Sequence, residues 1–187
     1  KTSFHSNDLL ADISIIDPYF IKDAPFEIIK NSAIDACAQC TEAFDSKLAN
    51  IYTKFLCEKA FDILEKALIN ENYEDLSYGA MISGLGFGNS STTLGHALSY
   101  VYSNEGISHG HALAFTTTIA HKFNDSKFYD RFKSLSDLLN FKPIKLNQNL
   151  EKAAELIQTD RKHLDYNPKN ISNNEIIKLL SSINSLN

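Results

Sequence analysis

The chain has few of the residues that mark special classes of protein. Among its 187 residues there are no tryptophans, one methionine, four prolines and three cysteines. An odd number of cysteines without a paired framework argues against a disulfide-stapled secreted domain and favours a reducing compartment. Cys37 and Cys40 form a CxxC pair, but no second pair follows. Small buried helix residues are therefore favoured over half a zinc knuckle or a redox pair.

Long apolar runs and basic runs are also missing. No apolar stretch approaches the roughly 20 residues of a membrane span, and the start of the chain does not read as a secretory signal. The net charge is −5 and no basic block occurs, which disfavours nucleic acid as a partner. The length suits one domain with a core. Because the chain starts at Lys1 rather than at methionine, we expect a fragment or a processed chain.

Apolar spacing predicts an all-α domain of about eight helices after a short strand or extended entry over residues 9–17. Three helix boundaries carry recognisable signals: Phe26 follows Pro25, Ser46 can cap the second helix, and Ser172 can cap the last. The predicted helices begin at Phe26 and then cover residues 47–69, 73–87, 93–102, 109–123, 128–139, 150–157 and 174–186.

Glycine and histidine are concentrated in one part of the chain. All seven glycines lie between Gly79 and Gly110, and four of the six histidines lie between His96 and His121. Glycine allows another helix or a ligand to approach the backbone closely. The segment GLGFG has the letters of a weak phosphate loop, but no strand precedes it, so we interpret its glycines as helix-packing residues.

His96 and His109 are candidate metal ligands, since thirteen residues separate them and a helix–loop–helix can bring both to one point. Two imidazoles need at least one further ligand, and a carboxylate is the usual third. The candidates are Asp35 and Glu42, which lie two helical turns apart and therefore on one face. Gln39 is one turn after Asp35. The alternative is that these residues only pack or cap helices.

Four segments in order then resemble the C-terminal helical domain of the iron-containing alcohol dehydrogenase family. They are IIDPYF followed by Pro25, AIDACAQCTEAF, LGHALSY and ISHGHALAFTTTIAHKFN. The resemblance covers most of residues 8–125. Within the family, STTLGHALSYVYSNEGISHGHALA and Gln39 are most similar to the phosphonoacetaldehyde-reductase branch.

The resemblance implies a divalent metal, iron or zinc, held by an aspartate and three histidines. It places Asp35, His96 and His109 among these ligands, and it places Gln39 where the family commonly has histidine. An amide oxygen is a poor ligand for either metal. Two outcomes therefore stay open: three ligands suffice, as in the glycerol dehydrogenase relatives, or metal binding is weakened or lost, as in maleylacetate reductases.

The resemblance also implies reduction of an aldehyde by hydride from NAD(P)H, with the nicotinamide cofactor bound mainly by an N-terminal α/β domain that residues 1–187 do not contain. The chain alone should then be inactive. His109 and His111 are the candidate catalytic residues, and Tyr100 is the candidate cofactor contact. A helix places His111 about 200° around its axis from His109. The two side chains therefore face the same way only if the helix starts after His111.

The remaining expectations concern partners and surroundings. We expect a small aldehyde or alcohol as substrate, no nucleic acid or membrane as partner, and a cytoplasmic chain that could form a homodimer. No lysine or arginine lies between Lys66 and Lys122, so the group that binds an anionic phosphonate must come from elsewhere. His121 is expected at a helix end, and His5 and His163 at the surface. A helical interaction module without a site is the remaining alternative.

Overall fold

The computed structural model describes residues 11–186, and nine α-helices account for most of them, without a strand in that range. The all-α prediction is thus confirmed. One short helix, α8, was not predicted. The helices are α1 (Phe26–Asp45), α2 (Ile51–Ile69), α3 (Tyr73–Phe87), α4 (Leu94–Asn104), α5 (His109–Asn124), α6 (Tyr129–Leu138), α7 (Leu150–Gln158), α8 (Arg161–Leu164) and α9 (Asn173–Asn184).

The entry to the domain contains no regular strand. Residues 11–17 form neither helix nor strand, while residues 9 and 10 of the expected strand, like His5, lie outside the described part of the chain. The Asp17 carboxylate accepts a hydrogen bond from the Tyr19 amide and caps a single turn of 3₁₀ helix, Pro18–Phe20. Pro18 suits this position because its missing N–H would have no partner in the first turn.

The start of α2 differs from the prediction. The helix begins at Ile51 rather than at Lys47, because Asn50 and Thr53 form a capping box that supplies the first turn with hydrogen-bond partners. The Ser46 hydroxyl instead accepts a bond from the Leu48 amide in the preceding turn. The cap of α9 is as predicted, with Ser172 at its start.

Two hydrophobic cores meet at α5. The first contains apolar side chains of α1, α2, α3 and α6, and the second contains those of α4, α7 and α9. Helix α5 contributes Leu113 and Ala114 to the first core, and Ala112 and Ala120 to the second. Packing into both cores fixes the position of α5 and therefore of its first residue, His109.

Glycines in α3 let it pack closely on α2. A Cβ added at Gly79 would lie 2.8 Å from Leu64 Cγ, and one added at Gly86 would lie 2.6 Å from Cys57 Sγ. The two glycines are seven residues apart and therefore share a helix face. The segment GLGFG lies at the end of α3, which supports the helix-packing interpretation over a phosphate loop.

The three cysteines are core residues. Cys37, Cys40 and Cys57 are fully buried and unpaired as disulfides. Burial raises the pKa of Cys57 to about 12 and raises the pKa values of the other two thiols well above their ordinary range. The thiols therefore stay protonated at neutral pH, as the buried-residue interpretation of the CxxC pair requires.

None of the helices in residues 11–186 combines the length and the apolar character that crossing a bilayer would demand.

The crossing of α5 over α1 gives a first prediction. A Cβ at Gly110 would lie 1.9 Å from the backbone oxygen of Asn31, which cannot swing aside. Gly110→Ala should therefore lower the free energy of unfolding by about 1–3 kcal/mol, measured by urea denaturation. Gly84→Ala is the matched control: a Cβ there meets nothing within 4 Å, so the helix should gain up to about 1 kcal/mol. Equal effects of the two substitutions would contradict the packing argument.

A second prediction concerns His121, which lies buried in the last turn of α5. Its Nε2 lies 2.8 Å from Thr41 Oγ1, which donates its own proton to the Cys37 backbone oxygen and so accepts from His121. Burial lowers the pKa of His121 to about 4. The unfolded chain therefore binds the proton more tightly, and stability present above pH 6.5 is lost as the pH falls toward 4. The loss should reach about 3 kcal/mol. Urea midpoints at pH 7 and pH 5 should differ less for His121→Gln, and an undiminished difference would exclude His121 as the cause.

Candidate metal centre

Three side chains from three helices converge on one point. Asp35 lies in the middle of α1, His96 in the first turn of α4, and His109 at the first position of α5. One ligand atom from each lies within 4.8 Å of the other two. Asp35 and His109 are half-buried and His96 is buried. One carboxylate and two imidazoles from separate helices form a set typical of a transition-metal or zinc site.

Two atoms in this cluster lack hydrogen-bond partners. Asp35 Oδ1 and His96 Nε2 are both buried and unsatisfied, and they lie 3.5 Å apart. Buried polar atoms without partners are rare, because each costs the free energy of its lost hydration. A divalent cation bound by both atoms would remove this cost. The residues present therefore fit the divalent metal that the family resemblance implies.

A fourth residue, Glu42, holds His96 in place from the side away from Asp35. His96 Nδ1 lies 3.0 Å from Glu42 Oε2, and Glu42 is fully buried on α1. In the neutral imidazole Nδ1 carries the proton, because a carboxylate only accepts, and Nε2 then presents its lone pair toward Asp35. A ligating histidine is usually oriented by such a carboxylate.

The same carboxylate caps α4. Glu42 Oε2 accepts a bond of 2.7 Å from the Thr93 amide and a longer one of 3.4 Å from the His96 amide. The Thr93 side chain makes no capping bond, so Glu42 supplies the acceptor for the helix start. Gly95 makes this approach possible, because a Cβ there would lie 1.9 Å from Glu42 Oε1 and 2.8 Å from Thr117 Cα.

The two carboxylates set the electrostatics of the cluster. Burial alone would lower the pKa of His96, but the negative charges of Glu42 and Asp35 and the hydrogen bond to Glu42 overcome it and raise that pKa to about 9. Burial likewise opposes ionisation of Glu42, yet the interaction with His96 holds the pKa of Glu42 below its ordinary value. The cluster thus concentrates negative potential at His96, which is the potential that a divalent cation neutralises.

A serine fixes the tautomer of His109. The Ser99 hydroxyl donates to the backbone oxygen of His96 at 2.8 Å, and the same oxygen atom of Ser99 lies 3.3 Å from His109 Nδ1. Because the single hydroxyl proton of Ser99 is used in the bond to His96, the Ser99 oxygen accepts a hydrogen bond from His109 Nδ1–H. The Nε2 lone pair of His109 is then the one available to a cation. Both imidazoles of the cluster therefore present Nε2 as the ligand atom.

Four aromatic rings form a closed arrangement around these ligands. His96 and His109 lie 5.5 Å apart between ring centroids, and Tyr100 stacks on His109 at 6.0 Å. His163 stacks on His96 at 6.1 Å and meets Tyr100 edge-on at 5.5 Å. Tyr100, the candidate cofactor contact, thus packs directly against one ligand, while His163 packs against the other.

His163 is not the surface residue that was expected. It lies in α8, is 3% exposed, and places Nδ1 2.7 Å from an oxygen of the Asp160 carboxylate. Asp160 also caps α8 through the His163 amide. A helix of four residues is too short to produce a periodic pattern, and its burial depends on contacts with α4, which is distant in the chain.

The other two predicted site residues are Gln39 and His111, and His111 stands apart from the convergent cluster. Gln39 lies one turn after Asp35 on α1 and is half-buried. His111 Nε2 lies 2.6 Å from the backbone oxygen of Lys142, and its ring packs at 5.1 Å from that of Phe141. The structure therefore brings together Asp35, His96, His109 and Tyr100, but turns His111 toward the segment after α6.

Fold and cluster together define an all-helical domain in which an aspartate and two histidines converge, and the comparisons with known proteins identify its family. Residues 29–162 match the model of the Fe-containing alcohol dehydrogenase family, C-terminal. The chain belongs to this family, as the sequence analysis expected.

Individual relatives extend the comparison. The chain is 30% identical over 151 residues to a 4-hydroxybutyrate dehydrogenase of Clostridium kluyveri, covering 74% of this chain and 41% of that protein. It is 25% identical over 158 residues to a 1-propanol dehydrogenase of Salmonella typhimurium, covering 79% of this chain and 43% of that protein. The chain therefore spans less than half the length of these relatives.

Solved structures share the fold. An iron-containing alcohol dehydrogenase from Thermococcus thioreducens superposes with a TM-score of 0.87 at 21% identity, over 95% of this chain and 56% of that one. A sulfoacetaldehyde reductase from Bifidobacterium kashiwanohense, solved in complex with NAD⁺, gives 0.80 at 21% identity, over 91% of this chain and 54% of that one. The phosphonoacetaldehyde-reductase branch expected from the motifs is not distinguished by these comparisons.

The contact between Glu42 and His96 gives a third prediction. Glu42→Gln keeps an acceptor for the Thr93 amide but removes the charge that orients His96. The affinity for Zn²⁺, measured by competition with a chromogenic chelator, should fall about 10- to 100-fold. Glu65→Gln is the control, since Glu65 pairs with Arg131 away from the cluster. Equal Zn²⁺ affinity in the Glu42→Gln and Glu65→Gln chains would show that Glu42 does not support the metal centre.

Proposed function

We propose that this chain is the metal- and substrate-binding domain of an NAD(P)-dependent alcohol dehydrogenase that reduces a short aldehyde. The observation that carries the proposal is the pair of unsatisfied buried atoms, Asp35 Oδ1 and His96 Nε2, facing each other beside His109. Family membership supports the oxidoreductase class. The nicotinamide cofactor is proposed to bind mainly to a separate nucleotide-binding domain.

Asp35, His96 and His109 would hold an Fe²⁺ or Zn²⁺ ion, with Gln39 as a neutral neighbour where a fourth ligand is expected. When bound there, such an ion supplies a Lewis acid that polarises a carbonyl oxygen. Glu42 and Ser99 orient the two imidazoles. Tyr100 covers His109 on one face, and this ring is proposed to contact the nicotinamide and to exclude water from the reacting atoms.

The proton-relay role of His111 stays a proposal. Its Nε2–H is engaged by the Lys142 carbonyl, which leaves Nδ1 as the atom that can accept a proton. A proton relay through His111 would therefore use its Nδ1. The relay would lie on the side of His111 that faces the segment after α6.

Phosphonoacetaldehyde is the finer substrate proposal, and it comes from the segment between Ser91 and Ala114 and from Gln39. The names of the relatives, a 4-hydroxybutyrate dehydrogenase, a 1-propanol dehydrogenase and a sulfoacetaldehyde reductase, support short alcohols and aldehydes as the wider class. A metal-free reductase is the second candidate, favoured by Gln39 in the place of a histidine.

Metal content separates the two candidates and gives a fourth prediction. The chain is purified without chelator or histidine tag, reconstituted with Fe²⁺ or Zn²⁺, and analysed by inductively coupled plasma mass spectrometry. We expect near-stoichiometric metal in the unchanged chain and its loss in His96→Ala. His111→Ala is the control and should retain the metal, because it lies outside the ligand cluster. An unchanged chain that takes up neither ion would favour the metal-free reductase.

A further inference from the structure

The segment between α8 and α9, residues 165–172, contains the fully buried side chain of Asn167. An asparagine amide offers two N–H donors and an oxygen that can accept two hydrogen bonds. Asn167 Nδ2 donates to the side-chain oxygen of Asn124 at 2.9 Å and to the backbone oxygen of Lys169 at 2.7 Å. Asn167 Oδ1 accepts from Asn124 Nδ2 at 2.8 Å and from the Leu94 amide at 3.4 Å. All four hydrogen-bonding positions of this amide are used, which is the condition for burying it without a large cost.

Asn167 joins the two helices that carry the histidine ligands. Leu94 is the first residue of α4, and His96 lies two residues further on. Asn124 is the last residue of α5, whose first residue is His109. Because one amide bonds to both Leu94 and Asn124, the start of α4 and the end of α5 are held at a fixed separation.

The first turn of α4 depends on acceptors outside the helix, since the Thr93 side chain makes no capping bond. Glu42 on α1 accepts from the Thr93 and His96 amides. Asn167 accepts from the amide of Leu94, which lies between these two residues in the chain. The segment after α8 therefore supplies the second acceptor for the turn that places His96.

Contacts on both sides of Asn167 hold the segment in place. The Lys47 amide, in the turn after α1, donates to the Tyr166 backbone oxygen at 2.9 Å. Lys169 Nζ donates to the Phe123 backbone oxygen at 2.8 Å in the last turn of α5, where a cation also interacts favourably with the helix dipole. The segment is thus tied to α4, to α5 and to the turn that follows α1.

We propose that Asn167 is a positioning residue of the metal centre, which holds the first turn of α4 against the end of α5 and so sets the place of the His96 imidazole relative to His109. The inference rests on the proposed function, because this separation matters when both imidazoles hold one ion. The hydrogen bonds of Asn167 reach none of the three ligand side chains, so Asn167 acts through the backbone of α4. Metal–ligand distances are held within about 0.2 Å, which makes the affinity for an ion sensitive to a small shift of that helix.

The test uses the 187-residue chain and two variants, Asn167→Ala and Asn124→Ala. Asn167→Ala removes all four hydrogen bonds and leaves the buried Leu94 amide without its acceptor, so α4 can shift. The affinity for Zn²⁺, measured by competition with a chromogenic chelator, should fall about tenfold. Asn124→Ala breaks the same connection from the α5 side and should also lower the affinity. Co²⁺ in place of Zn²⁺ supplies a second readout, because its visible absorption reports the ligand geometry, and its bands should change in both variants.

Asn184→Ala is the matched control. The Asn184 side chain also accepts a hydrogen bond from a backbone amide, that of Leu146 at 2.9 Å, but it lies in α9. This variant should lower the free energy of unfolding in urea, as Asn167→Ala does, and leave the Zn²⁺ affinity and the Co²⁺ spectrum unchanged. Equal effects of Asn184→Ala and the two test variants on these two readouts would overturn the inference. If Asn167→Ala does not fold, Asn124→Ala decides the question by the same comparison.

Failure of the proposed function would give a different result. If the unchanged chain takes up no metal, that function is wrong, and the metal-free chain still tests the role of Asn167. The chemical shifts of the His96 ring nitrogens, measured by nuclear magnetic resonance, should change in Asn167→Ala and Asn124→Ala but not in Asn184→Ala. Ring-nitrogen shifts that are the same in all four chains would overturn the inference.

Discussion

The structure of the site depends on the buried carboxylate of Glu42. This one group accepts hydrogen bonds from the first turn of α4 and from the ring of His96. It therefore joins α1 to α4, and it also orients the imidazole of His96, a predicted metal ligand. Burying a charge is costly unless it is paired and hydrogen-bonded. The helix start and the imidazole meet this requirement at Oε2, and Gly95 provides the space that lets Oε1 come so close.

Helix α5 completes the arrangement because it packs into both hydrophobic cores. Its contacts with two cores hold His109 at its first position, and the absence of a side chain at Gly110 lets it lie against the backbone of α1 at Asn31. Ser99 then links His109 to the backbone of His96. The ligand cluster is thus built on three rigid helices rather than on loops, which limits how far each ligand atom can move.

Much of this could be predicted from the sequence, for physical reasons. Periodic apolar residues defined the long helices, and clustered glycines and histidines marked the region of the site. The family pattern singled out Asp35, His96 and His109, which do converge. The sequence could not show that Asn50 rather than Ser46 caps α2, because both are good caps at plausible positions. Nor could it show that His163 is buried, since α8 is too short for a periodic signal and its contacts are made by residues far away in the chain.

The three cysteines have a practical consequence for the study of this domain. Because Cys37, Cys40 and Cys57 are fully buried and their thiols are held in the protonated form, none reacts readily with maleimide reagents in the folded chain. A single cysteine introduced at an exposed position would therefore carry a fluorophore or spin label selectively. Distances across the molecule could then be measured without replacing any native thiol.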